Sequence, residues 1–158
     1  RGAPPPPAAD AGIRTVLMRM GVIMGRGGGA YGNMKLPFRL GVGGAFGDGT
    51  QWFPWIHLED AADLYSFAIE NKNVSGPLNA VSPHSVSNGA FCNALAKAWW
   101  RPAIFNVPAF ALKLIGEERA SMLLEGQHVV PKKALELGYQ FKYSNVTEAC
   151  DELVNGKS

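Results

Sequence analysis

"IRTVLMRMGVIM", residues 13–24, is the stretch that decides the fold. It is rich in β-branched and long apolar residues and almost lacks polar alternation. A strand with one wet face alternates; a strand buried on both faces of a parallel sheet does not. The reading is therefore a buried strand in a mixed α/β protein. Arg19 interrupts the run. A guanidinium there is costly unless it is paired or stands at the strand's end near a ligand.

The next eleven residues, "GRGGGAYGNMK" (25–35), offer two functional matches. Gly27-x-Gly29-x-x-Gly32 is the bare dinucleotide-binding pattern, and an acid, Asp48, follows about 20 residues on. Tyr31-x-x-x-Lys35 has the spacing of a tyrosine proton donor with its lysine one helical turn away, where the ammonium lowers the phenol pKa. Neither match has the right context. A dinucleotide loop must join a strand to a long helix whose N-terminus faces the pyrophosphate. Pro37 cuts such a helix short, since residues before proline are biased away from helical backbone. "GVGGAFGDGT" (41–50) is too rich in glycine to be the second strand, and Asp48-Gly49 is a turn dipeptide. Gly32 beside Asn33 makes a poor helix start. The span from Gly25 to Gly49 reads as a mobile glycine-rich loop, with one short helical piece, "NMKLPFRLG" (33–41), in its middle.

Composition narrows the class. The 158 residues are 47% hydrophobic and 18% charged, which fits one globular domain with a real core. A net charge of +2 with no stripe of Lys and Arg excludes nucleic acid as a partner. No segment has the roughly 18 apolar residues of a membrane span, so no membrane partner is expected. His57, His84 and His128 are isolated, and no metal site is expected. Cys92 and Cys150 sit inside apolar helical patterns and read as buried thiols. The leader "RGAPPPPAAD" has no signal-peptide pattern and reads with residues 11–12 as a disordered tail or linker, leaving a soluble intracellular protein of unspecified compartment.

Along the rest of the chain, "TQWFPWIHL" (50–58) is extended and broken by proline. "EDAADLYSFAIENK" (59–72) is a helix with Asp60 as N-cap, and "PLNAVS" (77–82) is a short strand. "SNGAFCNALAKAWW" (87–100) is an amphipathic helix capped by Ser87. Proline at the start and glycine at the end punctuate "PAFALKLIG" (108–116) and "PKKALELG" (131–138); "EERASMLLEG" (117–126) also ends on glycine. "YQFKY" (139–143) alternates as a strand, and "NVTEACDELV" (145–154) closes with helical spacing.

Four segments together carry a family resemblance: residues 17–64, "GPLNAVSPHSVSN" (76–88), "VPAFALKLIGE" (107–117) and "LLEGQHVVPKKALELGYQFKY" (123–143). They resemble the C-terminal half of the epimerase family of atypical short-chain dehydrogenases/reductases, from about Thr15 to Val154. The resemblance implies an α/β fold: the C-terminal part of an NAD(P)-binding Rossmann-like, extended short-chain dehydrogenase, lacking the N-terminal βαβ units. It divides the chain into the tail (1–12), remaining Rossmann strands with a substrate loop (13–85) and a mostly helical C-terminal domain (86–158). It implies NADP as cofactor, with the main binding loop and the catalytic tyrosine and lysine in sequence preceding residue 13; no catalytic residue is assigned here. By that similarity Arg19, Met20, Gly21 and Val22 line the nicotinamide end. Tyr31, Phe38, Arg39 and Trp52 are then contacts of a flap over an unidentified small-molecule substrate.

Two functions follow. One is the nicotinamide-end and substrate-side wall of an NADP-dependent oxidoreductase or epimerase-like protein. The other is a non-catalytic interaction module that self-associates through an exposed sheet edge.

Overall fold

The structure is a computed structural model that describes residues 11–108 and 126–156. The apolar run that opens the chain forms two strands, β1 (Val16–Met20) and β2 (Val22–Gly25). They are followed by helix α1 (Gly29–Arg39), β3 (Trp52–Phe53), β4 (Trp55–His57) and helix α2 (Leu58–Glu70). Then come β5 (Gly76–Ala80), β6 (Val86–Ser87), α3 (Asn88–Ala98), α4 (Lys132–Glu136) and α5 (Val146–Asn155). The predicted helices over 108–116 and 117–126 fall almost wholly outside the described residues.

Gly21 is the reason for two strands. Before it, β1 runs parallel to β5, with Val16 opposite Gly76 and Met20 opposite Ala80. After it, β2 runs parallel to β4, with Val22 opposite Trp55 and Met24 opposite His57. The backbone amide of Gly21 still donates to Ala80 O at 2.9 Å, whereas that of Val22 donates to Pro54 O at 2.7 Å. One chain thus changes partners within one residue. β1 itself is half-buried rather than sunk between two covered faces. β3 and β6 form a short antiparallel pair.

Two apolar clusters fill the interior. The larger joins Met24, Trp55, Phe91, Leu95 and Leu153 with Tyr31 and Phe38. The second lies against the inner side of α2 and gathers Ile56, Leu64, Leu78, Ala134 and Tyr139. Burial of each of the larger side chains contributes about 2 kcal/mol. Cys92 on α3 and Cys150 on α5 are both free thiols in the first cluster.

The glycine run is not a mobile loop. Helix α1 begins at Gly29, passes through Gly32-Asn33 and Pro37, and ends at Arg39. Tyr31 and Phe38, seven residues and about two turns apart, share one face and are 1% and 3% exposed. Their burial outweighs the poor helix propensity of Gly32 and Asn33, which is under about 1 kcal/mol per residue. Pro37 is tolerated three residues from the end, and its carbonyl accepts from the amides of Val42 and Gly43 at 3.0 Å each.

Two further expectations are corrected. Asp60 is not an N-cap. Helix α2 starts straight out of β4 and is capped by His57, whose ring accepts from the Glu59 amide. Asp60 lies in the first turn, 1% exposed, and its carboxylate accepts from the amides of Lys142 at 2.7 Å and Tyr143 at 2.9 Å. Residues 139–143 therefore form no strand. The amides of Lys142 and Tyr143 bond a buried carboxylate instead of a ladder, that of Tyr139 donates to Ala134 O, and the Tyr139 hydroxyl donates to Asp60 O at 2.9 Å. At the other end of α2, Arg14 donates to the carbonyls of Ala68, Ile69 and Val74 at 2.8–2.9 Å, satisfying helix-end acceptors. Ser87 caps α3 through the Ala90 amide, as its position in the sequence predicts.

Two predictions follow from this packing. Replacing Asp60 by Asn places an amide NH2 where two backbone donors converge, and costs about 2 kcal/mol of stability in urea unfolding. An unchanged midpoint would mean that the carboxylate does not hold the 139–143 segment. Burial raises both thiols, Cys92 and Cys150, to about 12. In the unfolded chain they ionise near their ordinary value, about 8.5. Their stabilisation is complete below that value and is lost as pH rises toward 12. Stability falls by about 4 kcal/mol between pH 8 and 10, and neither thiol reacts with Ellman's reagent before unfolding at pH 8. A flat profile would refute the burial of these thiols.

Candidate functional site

The carboxyl ends of parallel strands are where open α/β sheets bind ligands, because diverging chains leave a crevice there. Here β1 and β5 run parallel to their carboxyl ends, and β3 enters beside Gly21. The result is a cavity of about 750 Å3. Its walls are the end of β1 with Gly21 and Val22, β3 with Pro54, the end of β5, and the segment from Gly126 to Val130.

Arg19, Met20, Gly21 and Val22 all line this cavity. Arg19 stands opposite Asn79 in the parallel register, so the two polar side chains share one face. Arg19 has no hydrogen-bond or ion-pair partner among the described residues. It also borders a smaller depression lined by Asn79, Lys132, Lys133 and Glu136, where three cations face one carboxylate, itself paired with Lys132 at 3.7 Å, so this end of the cavity keeps a positive balance. Asn79 Nδ2 donates to Val130 O at 3.1 Å, and the Ser85 hydroxyl donates to Val129 O at 3.3 Å. These two bonds fasten the outer wall to the sheet. Trp52 reaches the same cavity from β3, and its ring lies 4.3 Å from that of His128, tilted by 37°.

The remaining substrate-loop residues lie elsewhere. Tyr31 and Phe38 belong to the core, and Arg39 is on the surface at the end of α1. Tyr31 and Lys35 do lie one turn apart on a single helix. Burial nevertheless raises the Tyr31 phenol, with only partial relief from Arg26, which is the opposite of what a proton donor of this type needs.

A second polar cluster is structural. The His57 ring accepts from the Glu59 amide through Nδ1, so its proton sits on Nε2 and is donated to Glu152 at 2.9 Å. Arg26 pairs with the other oxygen of Glu152 at 3.1 Å and also donates to the carbonyls of Glu152 and Gly156. Both ring nitrogens are engaged by protein groups and the ring is buried, so His57 presents no free nitrogen to a ligand. It joins β4 to the last turn of α5.

Sequence reasoning missed Asn79, Gln127 and His128 as lining residues. Asn79 carried a signal: a polar residue inside a short apolar strand, in step with Arg19. His128 carried none, because its partner Trp52 is distant in sequence.

The model of a domain of unknown function (DUF1731) matches residues 107–153. The mouse epimerase family protein SDR39U1 is 47% identical over 142 residues, covering 89% of this chain and 48% of its own length. The crystal structure of human epimerase family protein SDR39U1 (isoform 2) with NADPH superposes with a TM-score of 0.89 at 43% identity, over 92% of this chain and 50% of that one. A nucleoside-diphosphate sugar epimerase from Corynebacterium glutamicum superposes with a TM-score of 0.72 at 33% identity, over 95% of this chain and 28% of that one. The chain therefore spans about half the length of the SDR39U1 relatives it matches. From its first strand to its last helix, it carries the C-terminal region of the epimerase family.

Proposed function

We propose that this chain supplies the nicotinamide-end and substrate-side wall of an NADP-dependent oxidoreductase or epimerase-like protein. The observation that carries the proposal is Arg19. It is a cation without a partner among the described residues, at the carboxyl end of a parallel strand, on the wall of a ligand-sized cavity. An exposed arginine of this kind fits a phosphate or carboxamide oxygen, to which it donates in a fixed fork. The cavity lies within the range of roughly 300–1,000 Å3 usual for small-molecule sites. The NADPH in the related human structure supports a nicotinamide cofactor.

In this reading Arg19 and Asn79 orient the polar end of the bound group. Met20, Gly21 and Val22 form the apolar face against which a flat ring lies. Trp52 and His128 close the far side and exclude water. When bound, the cofactor supplies hydride transfer at C4 of nicotinamide. The residues of this chain position and shield; none of them is assigned as proton donor. The rival reading, an interaction module that self-associates through the edge of β1, draws on the exposed Tyr65 and Ile69 beside Val16 and Met18.

Titration of the 15N-labelled chain with NADPH separates these readings. The expected result is amide shifts at Arg19 to Val22 and Gln127 to Val130, weakened about ten-fold in Arg19→Ala, the loss of one charge-assisted contact. Shifts centred on Gly27 to Gly32 would overturn the assignment. So would a silent spectrum at millimolar NADPH together with concentration-dependent self-association in light scattering.

A further inference from the structure

Away from the cavity, α1 and the turn that follows it lie against the segment leaving α3. The Arg101 guanidinium donates to Arg39 O at 3.2 Å, and the Val107 amide donates to Ala45 O at 2.8 Å. The two segments therefore form one surface. Its apolar members are strongly exposed: Trp100 is 91% exposed, Ile104 70% and Leu40 65%, with Leu36, Phe105 and Val42 beside them. Trp100 is the only non-glycine residue with positive φ among the described residues, at 55°. A bulky residue in that left-handed region is strained by roughly 1–2 kcal/mol. That φ ends α3: Trp100 is the left-handed residue after its last turn, where the Trp100 amide donates to Lys97 O and the Arg101 amide to Ala96 O at 2.9 Å each, and the indole it carries points into water.

The charged residues that these two segments themselves carry have one sign. Lys35, Arg39, Lys97 and Arg101 accompany the apolar side chains. The sequence has no Asp or Glu from residue 11 to 47, nor from 71 to 116, and both segments of the surface fall inside those acid-free stretches. An apolar patch of this kind marks an interaction site, and its cations select an anionic partner. A tryptophan projecting alone, with aliphatic residues around it and cations interspersed, suits the headgroup boundary of a bilayer better than the shaped pocket of a protein. No helix among the described residues is long and apolar enough to cross a membrane, so the contact is with the surface, which departs from the expectation of no membrane partner drawn from the lack of a span.

We infer that this face docks on anionic lipid membranes, with Trp100 and its neighbours inserted at headgroup level. The test is co-sedimentation with vesicles of phosphatidylcholine alone and of an equal mixture with phosphatidylglycerol. The chain is expected to sediment with the anionic vesicles at low salt, to dissociate at high salt and to ignore the neutral ones. Trp100→Gly relieves the backbone strain, so the fold is kept, and lowers partitioning about ten-fold, the burial of one large apolar side chain. Lys35→Glu and Arg39→Glu each lower it about five-fold or more. Equal binding to both vesicle types, or binding unchanged in Trp100→Gly, overturns the inference. A wild-type dimer that Trp100→Gly converts to monomer, without vesicle binding, would assign the face to a second copy of the chain and also overturn it.

Discussion

The structure depends on the absence of a side chain at Gly21. A Cβ there would lie 2.5 Å from Pro54 O and 2.9 Å from a methyl of Val81. The first contact is with backbone and cannot be relieved by turning a rotamer; the second is with the buried side chain of Val81, just past β5. That vacancy lets β4 reach β2 while β1 stays with β5. Without it the two parallel pairings could not be served by one continuous run, and the crevice at the strand ends would close. The cavity, its cationic end and the aromatic wall on β3 all follow from this single exchange of partners.

Where the ladders stop, polar side chains take over the backbone's hydrogen bonds. Arg14 gathers two carbonyls from the last turn of α2 and a third, that of Val74, from the chain beyond it. Asp60 gathers two amides from residues 142 and 143, and His57 caps the helix that Asp60 belongs to. Buried backbone groups left unpaired cost about as much as a lost hydrogen bond, so each of these side chains makes irregular chain tolerable in the interior. Asp60 and His57 are residue types that serve elsewhere as acid and base. Position decides their role here: both face the protein, at 1% and 3% exposure, with their acceptors already occupied.

Much of this was legible in the sequence, and the failures share a cause. The parallel strands, the Ser87 cap, the proline break between Trp52 and Trp55 and the closing helix each rest on local chemistry. The family resemblance singles out Arg19 to Val22, and these residues line the cavity. Local chemistry misread α1, because glycine and proline propensities are weaker than the burial of Tyr31 and Phe38, which only the assembled core reveals. It misread 139–143 for the same reason: alternation suggested a ladder, but the nearest partner was a carboxylate some 80 residues away. Trp52 with His128, and the surface around Trp100, are juxtapositions of distant segments and leave no trace in any window of sequence.

Gly126 repeats, on the opposite wall, the condition set by Gly21. A Cβ there would fall 1.7 Å from Trp52 O, so the outer segment rests on the backbone of β3. The width of the cavity is therefore set by main chain on both sides and is closed to mutational adjustment. What is left to vary is the side chains on its walls, among them Arg19, Met20, Val22, Trp52, Asn79, Gln127 and His128. Exchanging polarity or ring size there changes what the cavity accepts while the gap between its two main-chain walls stays as it is.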